Sequence, residues 1–325
     1  MAKSIIEACA LTKRFGDVQA VADVSFDVRE EELFGFLGPN GAGKTTTINM
    51  LTGLARPDDG TVRIAGRDFS DDPKAAQALM GIVPDESNLY PELTGLGNLC
   101  FCASLYGMGR NERRTRALEL LEQFGLADAA DRKFAGYSKG MKRKLTIAAG
   151  IIHNPPILFL DEPTTGIDVA SARQIRRLIA GLNSSGTTIF LTTHYIEEAE
   201  RLCRRIAFIV AGRIVQTDTV TNLMRQSQGK HIVQFSVSGS SAGLGEAMTS
   251  EFANLRCQAH TDGVIRVESS QPVRVGPLVR FLEDHGLEVS EARKVRQSLE
   301  DVFVRVTGIE ATVMKRDKPK SGGRS

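Results

Sequence analysis

The chain has 325 residues, of which 42% are hydrophobic and 25% are charged, so its composition excludes a mainly disordered protein and allows two domains. Its 41 Lys and Arg residues and 39 Asp and Glu residues leave a net charge of +2, which gives no global reason to expect nucleic acid as a partner. No apolar run approaches the ~18 residues that cross a bilayer, and charge interrupts the N-terminus before a signal-peptide core could form, so we expect a soluble chain.

The five cysteines are odd in number and scattered along the chain. Cys100 and Cys102 are separated by one residue, but they lack the nearby His or Cys partners of a metal site. We therefore expect reduced thiols in a cytosolic protein, without a cysteine metal centre.

The N-terminal region alternates apolar with polar or small residues, which predicts strands at residues 5–10 and 18–28. The segment between them, Arg14-Phe15-Gly16-Asp17, is a predicted turn with one aromatic residue. Phe15 is either a core residue or a platform on which an adenine ring stacks.

Residues 38–45 have the pattern G-x-x-x-x-G-K-T and follow an apolar run at 33–37, an order that predicts strand, loop and helix. Glycines let backbone N–H groups turn towards phosphate oxygens, and the helix that begins near Lys44 adds the positive end of its dipole. We expect Lys44 to reach the β- and γ-phosphates and the Thr45 hydroxyl to bind Mg²⁺. The loop predicts a nucleotide site without naming a reaction, since unrelated enzymes share it. Its residues are Gly38, Pro39, Asn40, Gly41, Ala42, Gly43, Lys44 and Thr45.

Shorter elements follow the loop. Residues 46–54 complete the helix, and the turn-forming residues 56–60 precede a predicted strand at 61–64. A further short strand is predicted at 81–84, where its proline ends it.

Residues 92–152 change in character and predict a helical insertion in an α/β pattern. Two helices have apolar residues at helical spacing, and the second is expected to begin at an Asn111 cap and to end before Gly125. A third helix follows Ser138, which on its own would be no more than an N-cap.

The wholly apolar run 157–160 predicts a strand buried on both faces of a parallel sheet. Asp161 and Glu162 follow it directly, at the edge where open α/β sheets bind ligands. After a predicted helix at 169–182 and a strand at 187–191, His194 occupies the same kind of strand end. We therefore expect His194 to lie level with the phosphate loop.

A polar linker at 226–230 precedes a second domain with the element order β-α-β-β-α-β. This order predicts a small α+β domain of the ferredoxin-like type over residues 226–308, with a hairpin at Asp262-Gly263. No catalytic constellation is evident there, which favours a regulatory or interaction role. Residues 309–325 form an expected flexible basic tail.

Taken in order, the loop at 38–45, the Ser138-x-Gly140 helix start, Asp161-Glu162 and His194 resemble the ATP-binding cassette (ABC) family over about residues 4–217. The resemblance implies an α/β P-loop NTPase domain over residues 1–225, with a helical subdomain at about 90–150. It further implies ATP and Mg²⁺ as cofactors. The implied catalytic residues are Glu162, which polarises the attacking water, His194, which contacts the γ-phosphate, and Lys44. The implied Mg²⁺ ligands are Thr45, Asp85 and Asp161, and the implied ATP-binding residues are Phe15, the loop residues, Thr46, Ser138 and Gly140.

Two positions depart from the family pattern. The segment 137–141 reads Tyr-Ser-Lys-Gly-Met where the family usually has Leu-Ser-Gly-Gly-Gln, so the contacts of Ser138 and Gly140 with a second copy's nucleotide are retained, whereas one from Met141 is not. Asp85 stands where the family places a glutamine that touches Mg²⁺ and water.

The segment 297–308 is similar to the ending of ATP-binding subunits of daunorubicin-type drug exporters. This similarity implies a homodimer that drives export of a drug-like or lipid-like substrate through a separate membrane permease, at the inner face of the cell membrane. Two alternatives remain open at this point: a soluble cassette acting on ribosomes or DNA, and a regulatory nucleotide-binding module without turnover.

Overall fold

The structure is a computed structural model that describes residues 3–225, 231–239, 244–252, 254–259, 263–295 and 298–309. The chain divides into two compact units, one formed by Met1–Thr219 with Val306–Ser325 and the other by Val220–Arg305. This division begins six residues before the boundary expected at 225/226. The expected linker at 226–230, Asp262 of the expected hairpin and residues 310–325 of the expected tail lie outside the described residues.

The first unit is an α/β structure whose strands and helices alternate along much of the chain. In chain order its elements are β1 (Ser4–Phe15), β2 (Val18–Arg29), β3 (Leu33–Leu37), α1 (Lys44–Leu51), β4 (Asp59–Ile64), β5 (Arg67–Asp68), α2 (Pro73–Ala78), β6 (Met80–Val83), α3 (Gly95–Leu105), α4 (Arg110–Gln123), α5 (Lys139–Gly150), β7 (Ile157–Asp161), α6 (Val169–Ser184), β8 (Thr188–Thr193), α7 (Ile196–Leu202), β9 (Arg205–Val210) and β10 (Arg213–Thr219).

A six-stranded sheet in the order β10-β9-β3-β8-β7-β6 forms the centre of this unit. Its strands are parallel except for β10, which pairs antiparallel with β9. Every residue of β3, β7 and β8 is buried, as expected for strands covered on both faces. The register pairs Leu37 with Thr193 and Asp161 with Thr192, so the carboxyl ends of these three strands meet at one edge.

A second, antiparallel sheet in the order β2-β1-β4-β5 packs against the central sheet through aromatic side chains. The ring of Phe26 on β2 lies 5.7 Å from Phe34, 5.5 Å from Phe36 and 5.6 Å from Phe190, measured between centroids. These are distances at which aromatic pairs attract beyond their burial. The rings therefore join the two sheets beneath the loop that follows β3.

The element boundaries correct three sequence predictions. β1 continues to Phe15, which pairs with Val18, so the turn expected at Arg14–Asp17 contains only two unpaired residues. α1 ends at Leu51 rather than Leu54, and Gly53 has a φ of +74° just beyond it. The helix α4 begins one residue before Asn111, since Gly109 is its N-cap.

The start of α4 has a simple cause. The Glu112 carboxylate accepts a hydrogen bond from the Gly109 backbone N–H at 3.3 Å, which moves the cap from Asn111 to Gly109. At its other end, Gly125 has a φ of +62° and ends the helix as predicted. The Ser138 cap of α5 is also confirmed, because its hydroxyl accepts from the Met141 N–H at 3.3 Å.

The second unit has the predicted element order of β-α-β-β-α-β. After α8 (Val220–Arg225) its elements are β11 (His231–Ser238), α9 (Leu244–Glu251), β12 (Leu255–Ala259), β13 (Val264–Ser269), α10 (Val275–Asp284) and β14 (Glu288–Val295). The last helix, α11 (Leu299–Thr307), includes Arg305, the residue at which the second unit ends. Its strands form an antiparallel sheet in the order β12-β13-β11-β14. Phe235, Val267, Met248 and Leu282 are fully buried in its separate core. Within the described ranges no helix combines the length and apolarity needed to cross a membrane.

We predict that Phe26→Ala destabilises the first unit by about 3–5 kcal/mol, because the truncation leaves a cavity among three aromatic rings. The measurement is urea unfolding of the full chain. Phe101→Ala is the matched control, since Phe101 is 38% exposed, and its cost should stay near or below ~1 kcal/mol. Equal losses in the two variants would contradict the assigned role of Phe26.

Candidate functional site

The loop between β3 and α1 is shaped by glycines that no other residue could replace. A Cβ atom on Gly38 would lie 2.2 Å from the Ile209 carbonyl oxygen, and one on Gly43 would lie 2.4 Å from the Ala20 carbonyl oxygen. Gly43 also has a φ of +102° and is the N-cap of α1 without a capping side chain. No side chain caps the first backbone N–H groups of α1, so they can bind an anion, as the N-terminus of a helix binds phosphate.

Lys44 is the first residue of α1 and is only 6% exposed. Its Nζ donates to the carbonyl oxygens of Gly38 at 2.7 Å and Pro39 at 3.1 Å, and it lies 3.1 Å from Glu162 Oε1. The ammonium group is thus held at the mouth of the loop, between its carbonyls and the carboxylate that follows β7. The contact of Lys44 with the β- and γ-phosphates stays a prediction.

Asp161 ends β7 and is 3% exposed. The Thr45 hydroxyl donates to Asp161 Oδ2 at 2.8 Å, and the Thr192 hydroxyl donates a short hydrogen bond to Oδ1. An aspartate carboxylate beside a threonine hydroxyl fits a small hard cation such as Mg²⁺, which prefers oxygen ligands. Within the described residues no three His, Cys, Asp or Glu side chains form a metal cage, so a metal here would also need ligands from a nucleotide or water.

Glu162 follows Asp161 in a backbone conformation that is rare for a residue with a side chain, with a φ of +49°. Its Oε2 accepts from His194 Nδ1 at 2.7 Å and from the Thr165 hydroxyl at 3.0 Å. Its backbone N–H donates to the Thr192 carbonyl oxygen at 3.1 Å. The carboxylate is therefore fixed in direction as well as in place.

Electrostatics keep Glu162 ionised. Burial alone would raise the pKa of this carboxyl, but the hydrogen bond from His194 and the charge of Lys44 together lower it to about 2. Because an ionised carboxylate only accepts hydrogen bonds, His194 carries its proton on Nδ1. A carboxylate of such low basicity is suited to accepting a hydrogen bond from a water molecule rather than to removing its proton early.

Phe15 lies at the end of β1 and is 54% exposed, which excludes the core alternative for this residue. Lys13 Nζ lies 5.6 Å from its ring centroid, and the same Nζ bonds Asp58 at 2.7 Å. The exposed ring remains available for stacking.

Ser138 and Gly140 begin α5, away from the centre formed by Lys44, Asp161 and Glu162. Ser138 is exposed, and in the described part of the chain its hydrogen bonds remain within the first turn of α5. A Cβ on Gly140 would meet the Ser171 side chain at 2.5 Å, so α5 and α6 approach closely there. The structure thus does not bring these two residues into the site of their own chain.

Asp85 follows β6 and Pro84, with a side chain that is 38% exposed. Its Oδ1 lies 3.8 Å from Nη2 of Arg143, a residue of α5 that the sequence did not single out. Arg143 lies in the basic run Lys142-Arg143-Lys144, and no local sequence signal shows that it is buried while basic residues of this kind are usually solvated. Thr192 and Thr165 were also missed, although both lie within three residues of predicted site residues.

Residues 21–165 match the model of a family described as "ABC transporter". The chain is 35% identical over 313 residues to the linearmycin resistance ATP-binding protein LnrL of Bacillus subtilis, covering 94% of this chain and 98% of that protein. It is 38% identical over 306 residues to the daunorubicin resistance ATP-binding protein DrrA2 of Streptomyces coeruleorubidus, covering 93% of this chain and 95% of the relative. The similarity that the sequence suggested to daunorubicin-type proteins is confirmed.

A solved structure is also similar. It is the dimeric post-hydrolysis state of the ATP-binding cassette MJ0796 bound to ADP and Pi, with a TM-score of 0.61 and 30% identity. The match covers 66% of this chain and 98% of that one. The share of this chain that is matched corresponds to a single cassette.

We predict that Thr192→Val raises the Mg²⁺ concentration needed for half-maximal ATP hydrolysis by about 10-fold, because Asp161 loses the donor that orients it. Removing the bond should also cost about 1.5–3 kcal/mol, since the acceptor is charged and buried. The measurement is hydrolysis rate against free Mg²⁺, with urea unfolding in parallel.

Thr188→Val is the matched control at the other end of β8, where the Thr188 hydroxyl accepts from the Glu31 N–H at 2.9 Å. It should lower stability and leave the Mg²⁺ response unchanged. A parental Mg²⁺ curve for Thr192→Val would show that this hydroxyl does not support the metal site.

Proposed function

Because this chain belongs to the ABC transporter family, we propose that its ATP hydrolysis takes place at Lys44, Asp161 and Glu162 and drives export of a drug-like or lipid-like compound. One observation carries the assignment of the site. The Glu162 carboxylate is fixed between the Lys44 ammonium at 3.1 Å and His194 Nδ1 at 2.7 Å, at the edge of the sheet where the phosphate loop ends.

Phosphate binding is assigned to residues 38–45 and Thr46. The glycine conformations and the uncapped start of α1 support backbone N–H contacts to the β- and γ-phosphates, with Lys44 adding a positive charge. Fixed donors and charges of this kind stabilise the transferring phosphoryl group without reorganisation during the reaction. The adenine is proposed to stack on the exposed ring of Phe15.

Thr45 and Asp161 are the proposed protein ligands of Mg²⁺. Asp85, which the family resemblance also implied as a ligand, lies 3.8 Å from Arg143 instead. When bound, the metal would neutralise charge on the phosphate oxygens. The hydrogen bond of 2.8 Å between Thr45 and Asp161 supports this assignment, because it holds two potential metal-binding oxygen atoms side by side.

Glu162 is proposed to orient the attacking water in line with the γ-phosphate. Its low pKa keeps it an acceptor at neutral pH, and His194 and Thr165 limit its rotation. His194 is proposed to contact the γ-phosphate through the ring edge opposite to Nδ1. Positioning of this kind supplies most of what phosphoryl transfer to water requires.

The exposure of Ser138 at the start of α5 supports a head-to-tail homodimer. In such a dimer Ser138 and the Gly140 backbone of one copy would contact the nucleotide held by the loop of the other. The similar cassette MJ0796 is described as dimeric. Two ATP molecules would then hold the pair together, and hydrolysis would loosen it.

Transport needs a membrane component, so we propose a separate integral-membrane permease as partner at the inner face of the cell membrane. The helical subdomain, about residues 90–150, would transmit closure of the dimer, and it exposes Tyr90, Phe101 and Leu105. Both relatives are named for resistance to an antibiotic, which supports a drug-like or lipid-like substrate and does not favour a soluble cassette, a non-hydrolysing module or a nucleic-acid partner.

The second domain, residues 226–308, is proposed to be ferredoxin-like and to serve regulation or interaction. The element order β-α-β-β-α-β and the strand order β12-β13-β11-β14 support the fold assignment. A separate core supports its folding as a unit.

We predict that Glu162→Gln retains ATP binding, lowers turnover by at least about 100-fold and accumulates an ATP-bound dimer. The amide keeps the shape of the side chain but loses the charge that orients water. The measurements are steady-state phosphate release and size-exclusion chromatography with ATP. Glu119→Gln is the matched control, on an exposed carboxylate that contacts Arg116 at 3.4 Å, and should hydrolyse ATP like the parent. Parental turnover in Glu162→Gln would refute the assignment.

The dimer is tested by mixing two inactive variants, Lys44→Ala and Ser138→Arg. In a head-to-tail pair, one composite site would combine both substitutions and the other would contain neither. We therefore expect hydrolysis to reappear on mixing, although each variant alone is inactive. A mixture that stays inactive, while chromatography shows mixed dimers, would exclude the proposed contact of Ser138 with the partner's nucleotide.

A further inference from the structure

Arg143 is a buried arginine that the proposed mechanism does not use. It lies on α5, five residues after Ser138, and is 5% exposed. A buried guanidinium is costly unless hydrogen bonds and a counter-charge compensate for lost water. Its partners therefore indicate what it does.

The guanidinium donates hydrogen bonds to four backbone carbonyl oxygens in two segments of the first unit. Nη2 donates to Glu162 at 2.7 Å and to Asp161 at 3.3 Å, and Nε donates to Pro163 at 3.0 Å. Nη1 donates a short hydrogen bond to the Pro84 carbonyl oxygen. Arg143 thus connects α5 both to the residues after β7 and to the loop after β6.

The bond to the Glu162 carbonyl bears on the catalytic carboxylate. Glu162 has a φ of +49°, a conformation that costs free energy for a non-glycine residue and persists only where neighbours enforce it. Its N–H donates to the Thr192 carbonyl oxygen, and its C=O accepts from Arg143 at 2.7 Å and from the Thr165 N–H at 3.2 Å. These bonds hold the two peptide groups that flank the Glu162 Cα, from which the side chain points towards His194 and Lys44.

Carbonyl oxygens carry no net charge, so the positive charge of Arg143 needs another partner. Burial lowers the pKa of the Arg143 guanidinium, and the largest of the opposing influences is the Asp85 carboxylate, ahead of Asp161 and Glu162. Asp85 Oδ1 lies 3.8 Å from Nη2. A glutamine at position 85 would offer no such charge.

We propose that Arg143 is a positioning residue for ATP hydrolysis, which holds the Glu162 peptide in its catalytic orientation from α5, and that Asp85 acts as its counter-ion. This inference rests on the proposed function. Arg143 would also link two nucleotide sites of a dimer. The helix α5 presents Ser138 and Gly140 to the partner's nucleotide, and through Arg143 it holds the Glu162 backbone of its own chain's site.

Arg143→Lys tests the proposal. Lysine keeps the charge, but a single ammonium group cannot replace a planar fork that bonds both segments. We expect kcat to fall by about 10- to 100-fold, as for a misplaced catalytic group, with the Kd for ATP unchanged within about 2-fold. Lys144→Gln is the matched control on the next residue of α5 and should retain the parental kcat. A parental kcat for Arg143→Lys would overturn the proposal.

Asp85 provides a second, independent arm, because it is partly exposed and its substitution should not unfold the chain. Asp85→Asn should lower kcat by about 3- to 10-fold without moving the Mg²⁺ concentration for half-maximal rate. In an Arg143→Gln background, where no charge needs balancing, Asp85→Asn should have no further effect. This lack of additivity is the signature of a shared function.

The contrary outcomes are distinct. A shifted Mg²⁺ response for Asp85→Asn that persists in the Arg143→Gln background would place Asp85 in the metal shell and overturn its role as counter-ion. If Arg143→Lys unfolds, the Asp85→Asn arm decides alone: unchanged kcat refutes the proposal, and reduced kcat with an unchanged Mg²⁺ response supports it. The proposed function would instead be refuted if the parental chain did not hydrolyse ATP, or if Glu162→Gln hydrolysed ATP at the parental rate.

Discussion

Strand β8 lies between β3 and β7 and hydrogen-bonds to both in parallel. This pairing decides where the functional groups meet, because Leu37, Asp161 and Thr193 end the three strands at the same level. The phosphate loop, the two carboxylates and His194 are far apart in sequence, yet each needs only to follow its own strand to reach one edge. The aromatic contacts of Phe26 then hold the second sheet against this arrangement.

The site buries an unusual number of charged or polar groups. Five of these residues are each at most 7% exposed: Lys44, Asp161, Glu162, His194 and Arg143. None would be tolerated singly, because an isolated buried charge loses its hydration without compensation. Lys44 offsets Glu162, hydroxyl donors support Asp161, and carbonyl oxygens surround Arg143. The groups are therefore stable only as a set, and changing one alters the surroundings of the others.

The sequence predicted the parts of the site that follow strand ends. Residues 38–45, Asp161, Glu162 and His194 could be located because an apolar strand followed by glycines or carboxylates is a local pattern, and parallel strands align their carboxyl ends. Arg143 could not be found in this way, since its partners Pro84 and Glu162 are 59 and 19 residues away in sequence. The prediction of an Asn111 cap was wrong for a related reason: the Glu112 carboxylate accepts from the Gly109 N–H, and composition alone does not rank two candidate caps that are two residues apart. The order of the second unit was predictable because alternation in strands and amphipathic spacing in helices are also local.

The depressed pKa of Glu162 has a consequence for the conditions in which the protein works. Since His194 and Lys44 hold this carboxyl at a pKa of about 2, its charge state is the same in a neutral and in a mildly acidic cell interior. Stabilisation by the ionised form is fully present above the usual glutamate pKa and is lost only as the pH falls towards about 2. If Glu162 orients the attacking water as proposed, mild acidification leaves that function unchanged, and a cell under acid stress keeps this step of expelling a toxic compound.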